Sequence, residues 1–260
     1  MQDEPHPDPH PVLRLGHVSS YSEALLDVVR QEIEVFRAWE FDLPGKAAKS
    51  YDQSMDRLCD ALQPYRVRGW HCTKLTQEEI TEVRNNGLRV LNRDLAERKV
   101  HALARLGRLM PSWRDALLQE CQASDESRRG MVWFCFFKPR YAGEFGISRL
   151  LSHWGGEALY WAFEDDAEIG PVLRQIGIPA VVEADVPVAD LKSACRVATS
   201  VVRSYLKSQG EKVVEPIAVE HYAVRDLPSD CIKRIYEFPS VEFARITGCN
   251  GWRTALVASG

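Results

Sequence analysis

The chain of 260 residues lacks the features that mark several broad classes of protein. It has no run that approaches the roughly 18 consecutive apolar residues of a membrane-spanning helix. Its N-terminus has neither the basic start nor the apolar block of a secretory signal. The sequence therefore predicts a soluble, cytoplasmic protein without a membrane partner, or one delivered into a target cell by a non-classical route.

An excess of positive charge is also missing. The formal net charge is −4, from 33 Lys and Arg against 37 Asp and Glu, and the pI is near 6.0. This balance gives no general attraction to phosphate backbones or anionic membranes. A nucleic-acid substrate is therefore not indicated by charge, although a local basic cleft can lie within an acidic total.

Paired cysteine motifs and phosphate-binding loops are absent as well. The seven cysteines are scattered and none forms a C-x-x-C pair, so a zinc ribbon or redox motif has no support. The glycine patterns G-x-G-x-x-G and G-x-x-x-x-G-K-[ST] do not occur. The cysteines are interpreted as reduced, mostly buried thiols, and no metal site is expected.

The sequence that is present divides into three regions. Residues 1–20 begin with an acidic stretch that is rich in Pro and His, and they predict a disordered tail. Residues 21–64 predict an N-terminal helical segment, because apolar residues recur there at helical spacing. Residues 65–260 predict one larger domain with a helical insertion at 92–122. Strands and helices follow each other without regular alternation, so the expected fold class is α+β.

Within this domain, several elements can be predicted one by one. Residues 65–73 alternate between polar and apolar and predict a strand. Thr76 and Glu79 form a capping box for a helix that Gly87 would end. The other predictions are a buried central strand at 131–137, strands at 157–163, 180–186 and 213–224, and helices at 190–208 and 231–238.

The first strand carries the first candidate for function. Alternation places Gly69, His71 and Thr73 on the same face. Two hydrogen-bonding side chains beside a glycine suit the approach of a ligand. A core histidine satisfied by a neighbour explains the same pattern.

Two further candidates lie later in the chain. Tyr160 lies in an apolar run after Gly155-Gly156, and its hydroxyl needs a partner if it is buried; a packed tyrosine is the simpler interpretation. Glu220 lies in an apolar strand, where burial of an unpaired carboxylate costs several kcal/mol. Such a glutamate is paired, functional or turned to water at a sheet edge, and Glu215 is its rival.

The order of these motifs resembles the ADP-ribosyltransferase family of the histidine–tyrosine–glutamate type, which includes diphtheria toxin and the poly(ADP-ribose) polymerases. The resemblance covers roughly residues 65–240. The motifs that carry it are His71-Cys72-Thr73, Gly87-Leu88, Gly155-Gly156-Glu157-Ala158-Leu159-Tyr160-Trp161-Ala162, and Glu220-His221-Tyr222-Ala223-Val224. Cys72 stands where the family has Gly.

This resemblance implies a split mixed or antiparallel β-sheet core and NAD as the substrate, without a metal. The residues that would bind NAD are His71, Cys72, Thr73, Gly156 and Tyr160. His71 would hydrogen-bond the adenosine-side ribose, and Tyr160 would stack on the nicotinamide. Glu220 would hold the nicotinamide ribose and stabilise the developing oxocarbenium ion. The expected catalytic residues are therefore His71, Tyr160 and Glu220.

The expected activity is transfer of ADP-ribose from NAD to a protein or nucleic acid, in a bacterial toxin, effector or defence enzyme. An antitoxin or chaperone would be a further partner. Ala218 stands where arginine-modifying families carry a second acid, so transfer to arginine is disfavoured. An RNA 2′-phosphotransferase is disfavoured because Arg66 and Arg68 fall on the other strand face. An NAD glycohydrolase and a catalytically inactive, transferase-like binding module stay open as alternatives.

Overall fold

The computed structural model describes residues 10–141 and 144–249, with the backbone alone at 141 and 144–146. This part of the chain is α+β, as predicted. Its strands are β1 (Val12–Leu13), β2 (Arg66–Leu75), β3 (Val132–Cys135), β4 (Ile178–Pro187), β5 (Glu220–Ala223) and β6 (Ile232–Glu237). Its helices are α1 (Glu23–Gln31), α2 (Ile33–Glu40), α3 (Ala48–Leu62), α4 (Gln77–Asn86), α5 (Arg93–Arg105), α6 (Pro111–Gln119), α7 (Glu144–Ser152), α8 (Glu157–Tyr160), α9 (Ile169–Gln175), α10 (Cys195–Ser208) and α11 (Val241–Thr247). None of the helices in the described ranges is both long enough and apolar enough to cross a bilayer.

The six strands form one sheet in the order β5-β3-β2-β4-β6, and β1 also pairs with β2. The pairs β2–β3 and β4–β6 are antiparallel, whereas β1 and β2 are parallel. The sheet is therefore mixed. Strand β4 is its most buried described member, because its apolar run leaves Val181 and Val182 without exposed surface.

The chain divides into two compact units. The first comprises Met1–Arg68 and Asp185–His221. In it α3 packs against α1, α2 and α10. The buried carboxylate of Asp185 accepts hydrogen bonds from Arg68, one of them 3.1 Å long. The pair fixes the position of both side chains, because moving them apart would leave a buried charge unpaired.

The second unit comprises Gly69–Ala184 and Tyr222–Gly260. One hydrophobic cluster of this unit is built from α5, α6, α8 and α9 and includes Trp154 and Tyr160. A second cluster joins Cys72 of β2 to Val181 of β4 and Phe243 of α11. Strands β2 and β4 each contribute residues to both units, because the boundaries fall after Arg68 and after Ala184.

Many local predictions are confirmed. The capping box of Thr76 and Glu79 is present at α4, and Gly87 ends that helix with φ of +82°. The predicted helical segment contains α1, α2 and α3, and the predicted insertion contains α5 and α6, with Pro111 at the start of α6. These elements depend on local spacing and capping, which the sequence displays directly.

Other local predictions are wrong. Val12–Leu13 forms β1 and residues 18–20 form a short 3-10 helix, so the predicted disordered tail is structured from residue 10; residues 1–9 lie outside the described part. Residues 157–163 form α8 and turns instead of a strand, and residues 232–237 form β6 instead of a helix. The predicted strand at 213–224 begins only at Glu220. Short apolar runs carry no periodicity that separates helix from strand, so tertiary packing decided them.

Candidate functional site

His71 lies on β2 where that strand pairs with β3. Its Nδ1 is 2.8 Å from the backbone carbonyl oxygen of Trp133. A carbonyl only accepts hydrogen bonds, so Nδ1 carries the proton and Nε2 is the acceptor of the neutral ring. The ring keeps some exposed surface, yet the protein around it lowers the pKa of His71 by burial, and the charge of Lys99 lowers it further. At neutral pH the imidazole is therefore uncharged, and its Nε2 has no protein partner among the described residues.

The space above Gly69, predicted to be open to a ligand, is filled by protein. A Cβ at this position would lie 2.8 Å from the ring of Phe136 and 3.2 Å from the ring of Phe134. These two rings stack with centroids 5.9 Å apart, and Phe134 also lies 5.9 Å from the ring of His71. The glycine is therefore required by the close approach of β3 and gives no room for a ligand.

The other predicted binding residues have different surroundings. Cys72 is buried in the cluster that contains Val181 and Phe243, whereas Thr73 is half-buried on β2. Gly156 has φ of +68°, and an added Cβ there would meet no atom within 4 Å. The backbone of Gly156 therefore borders open space.

Trp133 is the exposed aromatic residue of β3. The run 131–137 was predicted to be buried on both faces, but 46% of Trp133 is exposed. Its ring centroid lies 4.7 Å from that of Tyr222 on the neighbouring strand β5, with the rings tilted by 49°. One face of β3 thus packs Phe134 and Phe136 into the core, and the other presents Trp133 beside Tyr222. The exposed indole of Trp133 offers a flat face on which a planar ring can stack.

Tyr160 does not occupy the predicted position. It is the last residue of α8, fully buried in the helical cluster of the second unit, with its ring 5.2 Å from that of His153. The guanidinium of Arg149 lies 5.8 Å from its centroid. Burial raises the pKa of the Tyr160 hydroxyl, which makes no hydrogen bond within the described residues. A ring without exposed surface cannot stack on a ligand unless α8 moves.

A buried carboxylate fixes the turn before α8. Glu79 accepts a hydrogen bond of 2.8 Å from the indole of Trp154 and pairs with Lys99 at 2.8 Å. Burial raises the pKa of Glu79, but Lys99 and the hydrogen-bond donors outweigh that effect and lower it overall. The carboxylate is therefore charged at neutral pH. It anchors the residue that precedes Gly155 and Gly156 to α4 and α5.

Glu220 is the first residue of β5 and lies in the first compact unit. Its side chain is exposed, and its backbone carbonyl accepts a hydrogen bond of 3.2 Å from Arg196. No hydrogen bond or ion pair reaches its carboxylate from any described residue. Glu215 is exposed in the segment before β5. Of these two glutamates, Glu220 is the one that opens a strand.

The structure thus separates the predicted site residues more than the sequence suggested. His71, Cys72 and Thr73 share β2, but within the described ranges no hydrogen bond or ring contact joins His71 to Tyr160. Two surface cavities lie elsewhere and include none of the predicted catalytic residues: one is lined by α5 and α6, the other by α4 and β6. In the part of the chain that is described, no three His, Cys, Asp or Glu side chains group closely enough to hold a metal ion.

Sequence reasoning missed Trp133 because residues 131–137 are nearly all apolar, which hides the alternation of a half-buried strand. The one feature of the sequence that pointed to Trp133 is its position along the chain, between the strand of His71 and the strand of Glu220. No protein-family model matches the chain, and neither a curated protein nor a solved structure is detectably similar to it. The arrangement is therefore interpreted from its own residues.

Proposed function

We propose that this protein cleaves NAD and transfers ADP-ribose to a macromolecular acceptor, a protein or a nucleic acid. The proposal includes the split β-sheet of the ADP-ribosyltransferases that the sequence resembles. The observation that carries it is the strand order β5-β3-β2. Within the second unit it makes neighbours of the strand that carries His71, the strand that carries the exposed Trp133 and the part of β5 that carries Tyr222.

His71 supports the proposal through its protonation state. The carbonyl of Trp133 fixes the tautomer, and the lowered pKa keeps the ring neutral. Nε2 is then available to accept a hydrogen bond from a ribose hydroxyl. In this role His71 orients the dinucleotide and takes no part in proton transfer.

Trp133 replaces Tyr160 as the aromatic group of the proposed site. A nicotinamide ring can stack on an exposed indole without displacing core side chains, whereas Tyr160 has no accessible surface. Stacking of a planar ring on an aromatic side chain contributes about 1–3 kcal/mol. Tyr160 then has a structural role in the helical cluster.

Glu220 supplies the negative charge that the reaction needs. The bond between C1′ of the ribose and the nicotinamide nitrogen breaks, and nicotinamide leaves with the electron pair. A carboxylate beside C1′ stabilises the oxocarbenium ion that develops. The acceptor then forms a bond to C1′ and loses its proton to solvent.

The activity is tested with purified protein, a cell lysate and NAD labelled on its adenylate phosphate. Release of nicotinamide together with label in the protein or RNA fraction is expected. Nicotinamide release with free ADP-ribose and no labelled macromolecule would instead identify an NAD glycohydrolase. If neither product forms at any lysate concentration, the proposal is refuted.

Two matched pairs of variants test the residue roles. Glu220→Gln is expected to lower turnover about 100-fold or more while NAD still binds, as with loss of other groups that stabilise transition-state charge. Glu215→Gln is its exposed control and should retain activity. Trp133→Ala should weaken NAD binding about tenfold. Trp161→Ala is its control: it removes another indole, which is 47% exposed, and should not weaken NAD binding.

A binding module without catalysis is the second candidate. The exposed carboxylate of Glu220, which no described donor orients, favours it, because catalytic carboxylates are normally preorganised. Calorimetry separates the two candidates. NAD binding without nicotinamide release in any fraction would favour the module, and equal turnover by the Glu220→Gln variant would exclude Glu220 as the catalytic group.

A further inference from the structure

Two cysteines from distant parts of the sequence meet in the first compact unit. The Sγ atoms of Cys59 and Cys195 are 3.5 Å apart, although 136 positions separate them along the chain. Cys59 lies near the end of α3, and Cys195 is the first residue of α10. Because α3 packs against α10, the packing of these helices holds the two thiols together.

The two thiols differ in accessibility. Cys195 is the one exposed cysteine among the seven, whereas Cys59 is half-buried. Burial, together with the neighbouring Cys195, raises the pKa of Cys59 to about 12. Because Cys195 is the more accessible thiol, an oxidant in solution meets it first and Cys59 acts second.

We propose that Cys59 and Cys195 form an oxidisable dithiol whose disulfide links α3 to the start of α10. With oxidised glutathione as oxidant, the Cys195 thiolate attacks one sulfur, forms a mixed disulfide and releases a glutathione thiolate. Cys59 loses its proton to solvent and attacks Sγ of Cys195, which releases the second glutathione. Two protein thiols are oxidised and one glutathione disulfide is reduced. The sulfur atoms need to approach from 3.5 Å to about 2.0 Å.

The location gives the link a structural consequence. Arg196 follows Cys195 and donates its hydrogen bond to the backbone carbonyl of Glu220. Ser193, two residues before Cys195, contacts the ring of His221 through its backbone. A bond at Cys195 therefore restrains the helix end that holds the first two residues of β5.

The test incubates the full-length protein with oxidised glutathione and counts thiols after denaturation. The chain has seven cysteines; seven free thiols are expected before oxidation and, because two are consumed, five after it. Mass spectrometry of the unreduced digest should show a peptide that joins Cys59 to Cys195. The oxidised protein should also unfold at a higher temperature, because a link across so long a loop restricts the unfolded chain.

Variants identify the order of the steps. Cys59→Ser should accumulate a glutathione adduct on Cys195, and Cys195→Ser should take up no glutathione at Cys59. Cys135→Ser is the matched control, since this half-buried cysteine lies in the other unit, and it should form the disulfide normally. A persistent glutathione adduct on the unmodified sequence, a link through another cysteine, or seven free thiols after oxidation would each overturn the proposal.

Discussion

The most quantitative prediction concerns Lys74, a buried cation on β2. Only 1% of the surface of Lys74 is exposed. The amine donates to the backbone carbonyls of Ser152, at 3.3 Å, and Arg174, and within the described residues no carboxylate pairs with it. Burial, together with the charge of Arg174, lowers the pKa of Lys74 from 10.5 to about 8.

The magnitude follows from this difference in pKa. The folded and unfolded values, about 8 and 10.5, differ by about 2.5, which corresponds to about 3 kcal/mol. Because the pKa is lower in the folded state, the unfolded chain still holds this proton at pH values between about 8 and 10.5, whereas the folded chain has lost it. Stability therefore rises with pH across this window, and most of the penalty is present at neutral pH. Between about pH 7 and pH 9.5 the free energy of unfolding should gain about 2 kcal/mol from this group.

The perturbation is Lys74→Met, which keeps the length of the side chain and removes its titration. Urea unfolding followed by tryptophan fluorescence gives the free energy of unfolding of both proteins at several pH values. The difference, natural sequence minus variant, should rise by about 2 kcal/mol between about pH 7 and pH 9.5. Other titrating groups cancel because both proteins contain them.

The control is Lys192→Met, which removes an exposed lysine. Its difference from the natural sequence should stay constant over the same pH range, because this substitution leaves the buried amine of Lys74 in place. If the Lys74→Met difference is also flat with pH, the reasoning about the buried amine is refuted.

Two further predictions concern stability. Burial lowers the pKa of three histidines, His71, His153 and His221. As the pH falls below about 6.5, the unfolded chain therefore takes up protons before the folded chain does. The free energy of unfolding should then fall by up to about 1.4 kcal/mol per pH unit for each histidine. Urea denaturation between about pH 7 and pH 5 checks this, and unchanged stability there would contradict it. Gly87→Ala should destabilise the protein by more than about 3 kcal/mol, because its Cβ would lie 1.8 Å from the carbonyl oxygen of Leu227 at φ of +82°. Gly210→Ala, at φ of +88° with open space around it, should cost about 1–2 kcal/mol when both variants are compared by urea denaturation, and equal losses would show that the close contact is unimportant.

The part of the fold that could be predicted from the sequence is the part fixed by neighbours along the chain. The capping box of Thr76 and Glu79 and the helix end at Gly87 are each set within one or two turns. The helical spacing that defines α1 to α3 is equally local.

The candidate site was less predictable because it depends on which strands become neighbours. The sequence shows aromatic residues at 133 and 160 with similar apolar surroundings. Only the packed sheet leaves Trp133 exposed next to β5, while the helical cluster encloses Tyr160. Likewise, no spacing rule relates Cys59 to Cys195, whose contact arises from the packing of α3 on α10.

The sequence by itself determined the α+β class, most helices, the order of the His71, Tyr160 and Glu220 motifs, and the absence of a long apolar run. These properties depend on composition and on contacts within a few residues. The tertiary structure alone decided which aromatic ring is accessible, which compact unit carries each candidate, and which charged groups are buried. Exposure and pKa depend on atoms that lie far away in the chain, and the sequence does not place those atoms.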